Sequence, residues 1–396
     1  MYFLFISAKD SIYDMAFVLE SMGHKLTVLD GYQFDPLNVH PVDELQIVEK
    51  YLSTHTYDYV ISYLYITTIS DLCQKYSTPY ISWIYDSPLV SLFHKSVFNP
   101  VNRIFIFDHS FYERMVQIGI PHVYYMPLAA NIDRSNSLVL TDEDAAKYTC
   151  DISFIGSLYE GNSYQAITQI LPAECLVSIN HYLYKNLCNW HNIRLWPSLS
   201  ETCMAHLEGT NFTHGNLLDF EFPAPMYLGN VTLVRKLGEM ERIICLNTLS
   251  ENHTVDLYTT SHSSFTDSLN VHSGLNYYTE LGKAYYYSRI NLNFTLPSIE
   301  TGIPQRIYDI MAYGGFVLSN YQSEMDTLFT PGKDIAVFRD LGELKEAADY
   351  YLNHEHKRLE IALAGCKKVT TLYSYQNRLS EILNICEQIN LNESSS

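Results

Sequence analysis

The chain has 396 residues, and its 25 Lys and Arg against 44 Asp and Glu leave a formal net charge of −19 at pH 7. Domains run to roughly 150 residues, so this length predicts two large domains rather than one. A hydrophobic share of 47% with 17% charged residues excludes a disordered chain, and the acidic balance excludes a general nucleic-acid binder, whose affinity comes from Lys and Arg neutralising phosphates.

In chain order, Tyr2–Ser7 predicts a strand and Ile12–Met22 a helix that stops at Gly23. The segment HKLTVLD at His24–Asp30 predicts a second strand, Glu44–Ser53 a helix, YDYVISY at Tyr57–Tyr63 a strand and Thr67–Tyr76 a helix. Tyr80–Tyr85, Arg103–Phe107 and His122–Met126 complete the series of short apolar runs. Strands alternating with amphipathic stretches at this spacing imply a parallel sheet covered by helices on both faces. Residues 1–135 therefore form one Rossmann-like α/β domain. The polar stretch Asn131–Tyr148 reads as a linker, and DISFIG at Asp151–Gly156 starts a second strand series. It continues with Val255–Thr259, Ile290–Phe294, Phe316–Asn320 and Ile335–Phe338. A second domain over 146–372, with a helical insertion at about 160–250, and a last helix at 373–390 follow. The tail is predicted helical at Leu341–Asn353, His356–Thr371 and Ser374–Ile389, with the final LNESSS frayed. The expected architecture is doubly wound α/β, with two Rossmann-like domains facing across a cleft at the carboxyl ends of the strands.

The eight cysteines form no C-x-x-C pair and show no zinc spacing with histidine. They read as reduced thiols packed as small hydrophobes, which points to a reducing compartment. The opening MYFLFISAKD lacks a basic n-region, and no run of 18 apolar residues occurs, so the expectation is a cytoplasmic protein without a transmembrane segment. In that compartment the sequons at Asn211 and Asn293 carry no meaning. The 33 tyrosines fit either a compositional bias or a surface that stacks on sugar rings.

The chemistry concentrates in INLNFTLPSIETGIPQRIYDIMAYGGFVLSNYQSEMDTL, residues 290–328. A polar strand end leads through Gly302, Ile303 and Pro304 into a helix, and proline is tolerated in a first helical turn. Free N–H groups at that helix start favour a phosphate, Arg306 adds a bidentate grip, and Asp309 lies one turn on, where it can accept two ribose hydroxyls. A plain Arg306–Asp309 salt bridge is the alternative for the pair taken alone. Gly314-Gly315 then turns the chain into FVLSN.

This segment resembles the donor-nucleotide motif of GT-B glycosyltransferases, and most closely that of the spore-maturation CgeB-like glycosyltransferases. INLN at 290–293, Thr301-Gly302-Ile303-Pro304, Arg306, Asp309, Gly314-Gly315-Phe316, Leu318 and Asn320-Tyr321-Gln322 carry the resemblance. WIYDSP at 83–88, Phe105-Ile106-Phe107-Asp108 and Met126-Pro127-Leu128-Ala129 are similar to the N-terminal domain fused to that module. The resemblance implies a hexosyltransferase using a nucleoside-diphosphate sugar, with a uridine donor expected and no metal or tightly bound cofactor. The acceptor would be a hydroxyl of a protein or glycan. The last helix would cross back to the first domain. Arg306 and Asp86 are the implied catalytic groups. Gly156, Ser157, Gly302, Ile303, Pro304, Arg306, Asp309, Gly315, Asn320 and Tyr321 are the implied donor-binding set. Retaining relatives of the broader group place two Glu eight residues apart; here Asp309 stands at the second position and Thr301, beside Glu300, at the first.

Other residues keep two readings. Asp86 either serves the acceptor or caps the following helix. Asp108-His109, Lys9-Asp10-Ser11 and His214-Gly215 are loop residues of lesser weight, and Lys283 and Arg289 read as solvated helix-end charges that could reach a diphosphate. A non-catalytic nucleotide-sugar-binding or spore- or surface-associated structural protein, and a nucleotide-sugar epimerase on the same fold, are the competing functions.

Overall fold

The computed structural model describes residues 1–8, 13–32, 42–191, 200–208, 228–261 and 263–395. Lys9, Asp10, Ser11, Asn211, His214 and Gly215 lie outside the described residues. The chain divides into two compact units, one holding Met1–Asn131 with the chain from Tyr373 onward, the other holding the described residues between 132 and 372.

The first unit is built on β1 (Tyr2–Ala8), β2 (Lys25–Tyr32), β3 (Tyr59–Ser62), β4 (Tyr80–Ile84), β5 (Asn102–Ile106) and β6 (Val123–Tyr125), ordered β2-β1-β3-β4-β5-β6. All neighbours pair in parallel, with Tyr2 opposite Lys25 and Val60 opposite Tyr80. Continuous apolar runs suit this sheet because both faces are covered, and Phe3, Leu4, Phe5, Ile81, Phe105 and Ile106 are fully buried. Gly23 closes the helix Asp14–Ser21 at φ +86°, a conformation that a side chain would strain.

The second sheet comprises β7 (Cys150–Ile155), β8 (Val255–Tyr258), β9 (Asn270–His272), β10 (Ser288–Asn293), β11 (Val317–Asn320) and β12 (Ala336–Phe338). Its order, β12-β11-β10-β7-β8-β9, is again parallel throughout. Strand order reverses between β7 and β10, and the crevice outside such a reversal is where open α/β sheets hold ligands.

The sequence did not mark β9: its three residues are exposed at the sheet edge, with no apolar run to signal them. The stretch read as a linker contains two helices, Ile132–Asn136 and Asp142–Tyr148. The polar residues there are caps: Thr141 Oγ1 accepts from the Asp144 N–H while the Asp144 carboxylate accepts from the Thr141 N–H. The helices Glu355–Leu372 and Tyr375–Ser395 follow, so the tail expected to fray is helical up to Ser395. The last helix belongs to the first unit, where Trp83 meets Tyr375 edge-on at 5.3 Å and Asn390 Nδ2 donates to the Tyr59 hydroxyl at 2.8 Å.

The cysteine reading needs one correction. Cys175 and Cys203 form a disulfide, and six cysteines are free. The pair is separated by 28 residues, and only the packing of its two segments around Ile179, Leu233 and Leu237 brings the sulfurs together. Spacing along the chain therefore carries no argument for a reducing compartment. Many tyrosines are core residues: Tyr65, Tyr80, Tyr148, Tyr285 and Tyr308 are buried, and the Tyr80 hydroxyl bonds Ser62 Oγ at 2.6 Å. Among the described residues, no helix is long and apolar enough to cross a membrane.

Candidate functional site

At the reversal in the second sheet, β7 ends at Gly156 and β10 ends at Asn293, two adjacent strand ends. Asn293 is fully buried and held by its own amide, which donates to Thr295 Oγ1 and Ser319 Oγ, both at 2.9 Å. Its Oδ1 accepts from Arg306 Nη1 at 2.9 Å. The Arg306 guanidinium runs across Gly156: a Cβ at that position would sit 2.8 Å from Nη2. A side chain there would displace the guanidinium and strain the backbone at φ +156°, and the sequence signal for this glycine, a glycine after an apolar strand, was weak.

A second arginine stands beside it. Arg242, on the helix Val234–Ser250, is 2% exposed; Nη1 donates to the Ser157 carbonyl and Nη2 to the Phe294 carbonyl at 2.9 Å. Both guanidiniums lie 5.2 Å from the Phe154 ring centre, and Arg242 also covers Tyr159 at 4.3 Å. Among the described residues neither arginine forms an ion pair, and Arg242 Nε is buried without a hydrogen-bond partner. Burial, and to a lesser degree the neighbouring Arg306 charge, hold the Arg242 guanidinium down to about 10. Two like charges kept together in a part-buried place form a site prepared for an anion. The neighbouring helix Gln305–Ala312 starts after Pro304 with no side-chain cap, and of its first N–H groups that of Ile307 donates to the Pro304 carbonyl at 3.1 Å.

A family model described as "Glycosyl transferase-like" matches residues 242–384, which contain both arginines. The structure is similar to that of the Anabaena protein HepE in complex with UDP, at TM-score 0.51 and 10% identity over 100% of both chains. It is similar to sucrose-phosphate synthase from Thermosynechococcus elongatus at TM-score 0.56 and 8% identity over 100% of both chains. A glycosyltransferase from Rickettsia africae aligns over 98% of each chain at TM-score 0.54 and 11% identity. No curated protein matches by sequence. The chain has the GT-B fold, and its residues 242–384 match the glycosyl transferase-like family model.

In this chain the expected donor residues fall into two groups. Gly156, Ser157 and Arg306 come together with Arg242 at the ends of β7 and β10. The others have packing partners. Gly302 and Ile303 are buried in the loop before Pro304, and Thr301 Oγ1 donates to Glu324 Oε1 at 2.7 Å. A Cβ on Gly315 would meet Asn291, Ile310 and the Tyr285 carbonyl at 2.8 Å, so this glycine serves close packing. Asn320 Oδ1 accepts from the Thr295 N–H at 2.6 Å in a buried position, and the Tyr321 hydroxyl donates to Asp326 at 2.6 Å beneath the Arg339 guanidinium.

Arg306 and Asp309 do not pair with one another. Asp309 is buried and forms an ion pair with Arg134 at 3.3 Å, and it also accepts from Gln305 Nε2 at 3.1 Å and the Tyr277 hydroxyl at 3.3 Å. Lys283 and Arg289 are paired with Asp144 and Asp151 at 2.9 and 2.7 Å, so neither is a solvated charge available to a diphosphate.

In the first unit, Asp86 is exposed in the turn after β4, next to the cis Ser87-Pro88 bond. The following helical turn, Val90–Phe93, has Leu89 at its N-cap, not Asp86. Ser87 Oγ donates instead to buried Asp108 at 2.7 Å. His109 lies against Tyr125 at 5.0 Å and Glu113 at 3.7 Å on a half-exposed helix start.

Sequence reasoning missed Arg242, Arg134, Tyr277 and Glu324. Arg242 left a trace: with Glu241 it falls on the buried stripe that contains Leu237, Cys245 and Leu249, and a charge on an apolar stripe asks for a reason. The other three are brought to their partners only by folding.

Proposed function

We propose that this enzyme transfers a sugar from a nucleoside-diphosphate sugar, with uridine as the nucleoside, to a hydroxyl of a protein or glycan, and that it belongs with the CgeB-like glycosyltransferases. One observation carries the reading: two neighbouring arginines without ion-pair partners among the described residues, at the ends of β7 and β10, in a chain of net charge −19. Acidic residues outnumber basic ones, so cations left without carboxylates are reserved for something else. A diphosphate fits them. When the bond between the sugar's anomeric carbon and the diphosphate oxygen breaks, negative charge builds on that oxygen, and fixed cations stabilise it.

In this reading Arg306 grips the diphosphate, with Arg242 behind it and the N–H groups at the start of Gln305–Ala312 beside it. Gly156 and Ser157 line the approach, Asp309 takes the ribose, and Asp86 serves the acceptor hydroxyl as base. That the Anabaena protein HepE is found in complex with UDP supports the choice of uridine.

Thermal-shift and calorimetric titration with UDP, GDP, ADP and their sugar conjugates tests it. A ligand that binds the folded chain alone contributes about 2.7 kcal/mol at 100 times its Kd. The expected result is a raised Tm with UDP that Arg306→Ala reduces by at least half, together with release of UDP from the donor. Binding without turnover would leave a nucleotide-sugar-binding protein, and an altered sugar by NMR in the absence of acceptor would mean an epimerase. No binding of any nucleoside diphosphate would overturn the reading.

A further inference from the structure

The surroundings of Asp309 assign a role to a residue that no motif contains. Arg134 Nη2 lies 3.3 Å from Asp309 Oδ1 and donates at 2.7 Å to the Tyr277 hydroxyl, which itself reaches Asp309 Oδ2 at 3.3 Å. The three side chains close a triangle. The Arg134 guanidinium is stacked over the Tyr277 ring at 4.2 Å, with the Tyr313 ring 5.6 Å from its centre, and Nη1 donates to the Tyr277 carbonyl at 3.4 Å. The side chains of Arg134 and Asp309 are 10% and 4% exposed.

A buried ion pair is a poor device for stability, because the hydration lost by both charges offsets most of their attraction. It is an effective device for orientation: a planar guanidinium stacked on a ring fixes the direction of the carboxylate that it meets. Arg134 sits on the helix Ile132–Asn136.

We propose that Arg134 is a positioning residue of the donor site: through its ion pair and the Tyr277 hydroxyl it holds the Asp309 carboxylate in the orientation that recognises the ribose hydroxyls. This rests on the reading that Asp309 meets the ribose. Arg134 itself touches Asp309 and Tyr277, not the nucleotide, and Tyr277 is the bridge. The consequence is a specific one. Removing Arg134 weakens recognition of the sugar hydroxyls and leaves the diphosphate grip of Arg306 in place.

The test compares UDP with 2′-deoxy-UDP by calorimetry on the full chain, in wild type, Arg134→Gln, Arg134→Lys and Tyr277→Phe, with KM and kcat for UDP release from the donor. Wild type is expected to bind UDP at least tenfold more tightly than 2′-deoxy-UDP. Arg134→Gln should lose about tenfold for UDP and less than twofold for 2′-deoxy-UDP, so that discrimination disappears, while KM rises more than kcat falls. Arg134→Lys should restore part of the discrimination, and Tyr277→Phe, which keeps the ion pair, should lose about threefold of it. Equal losses for both nucleotides, or none, would overturn the proposal and leave Arg134 a structural tie. If Arg134→Gln fails to fold, unchanged discrimination in Tyr277→Phe overturns it alone. Wild type that binds neither nucleotide defeats the functional reading, and this proposal with it; wild type that binds both equally defeats only the role of Asp309 and Arg134.

Discussion

Among the described residues, the carboxyl ends of β4 and β5 and those of β7 and β10 carry opposite charges. At the end of β4 and β5 in the first unit stand Asp86, exposed, and Asp108, buried and bonded to Ser87. At the end of β7 and β10 in the second stand Arg306 and Arg242, which share the Phe154 ring and pair with carbonyls and an amide rather than with carboxylates. Parallel strands and covering helices are common to both units, so the difference does not come from topology. It comes from a handful of side chains placed where a fold of this type leaves room for ligands. The lesson is that the repeated scaffold supplies positions and the local charge decides what each position can hold: in the proposed reading, an anion in the second unit and an acceptor hydroxyl in the first.

Breaking the first-unit side should have the largest effect on turnover. Asp86→Asn is expected to lower kcat for donor turnover by roughly 10²- to 10⁴-fold, the range of a lost general base, with UDP affinity unchanged by calorimetry; an equal loss of affinity would place Asp86 in binding. On the second-unit side, Arg306→Ala should weaken UDP by about 10- to 100-fold, because hydrogen bonds to a charged group contribute about 1.5–3 kcal/mol, and Tm without ligand should fall modestly because buried Asn293 Oδ1 loses its donor. Gly156→Ala sharpens the comparison further. Its Cβ would lie 2.8 Å from Arg306 Nη2, so the guanidinium must shift and UDP affinity should fall by roughly tenfold; unchanged affinity would show that the arginine acts from elsewhere.

The smallest effect concerns stability alone. Glu280 accepts from the Asn276 N–H, Lys147 and Tyr148 at 2.9 to 3.0 Å, and these bonds, led by the Asn276 N–H, hold its carboxyl down to about 2 against an ordinary 4.5. A carboxyl whose folded value is depressed stabilises above its unfolded value and loses that contribution as pH falls through the folded one. Glu280→Gln should therefore cost about 1 kcal/mol at pH 7 in denaturant titration. The difference from wild type should close between pH 4.5 and about 2.

Much of this was legible before folding. Strand after strand was visible because a sheet covered on both faces writes itself as runs such as YFLFIS and YISWI. Arg306 and the Gly-Ile-Pro approach were visible because a glycine–proline loop before a helix is local chemistry. The failures have a common cause as well. The stretch 131–148 looked like a linker because its polar residues cap helices, and β9 stayed hidden because an exposed three-residue edge strand has no apolar period. Arg306 and Asp309, one turn apart, looked like one unit; folding sends the first to Asn293 and the second to Arg134, 175 positions earlier.

What the sequence determined by itself is the alternation that builds two parallel sheets, and the local segment that starts the helix at Gln305, since both depend on neighbours within a few residues. Tertiary structure alone decided the rest: that Arg242 meets Arg306, that Arg134 and Tyr277 enclose Asp309, and that Cys175 reaches Cys203. Such pairs are separated by tens to hundreds of residues, and only the burial that brings their elements together sets which charge is matched and which is left for a ligand.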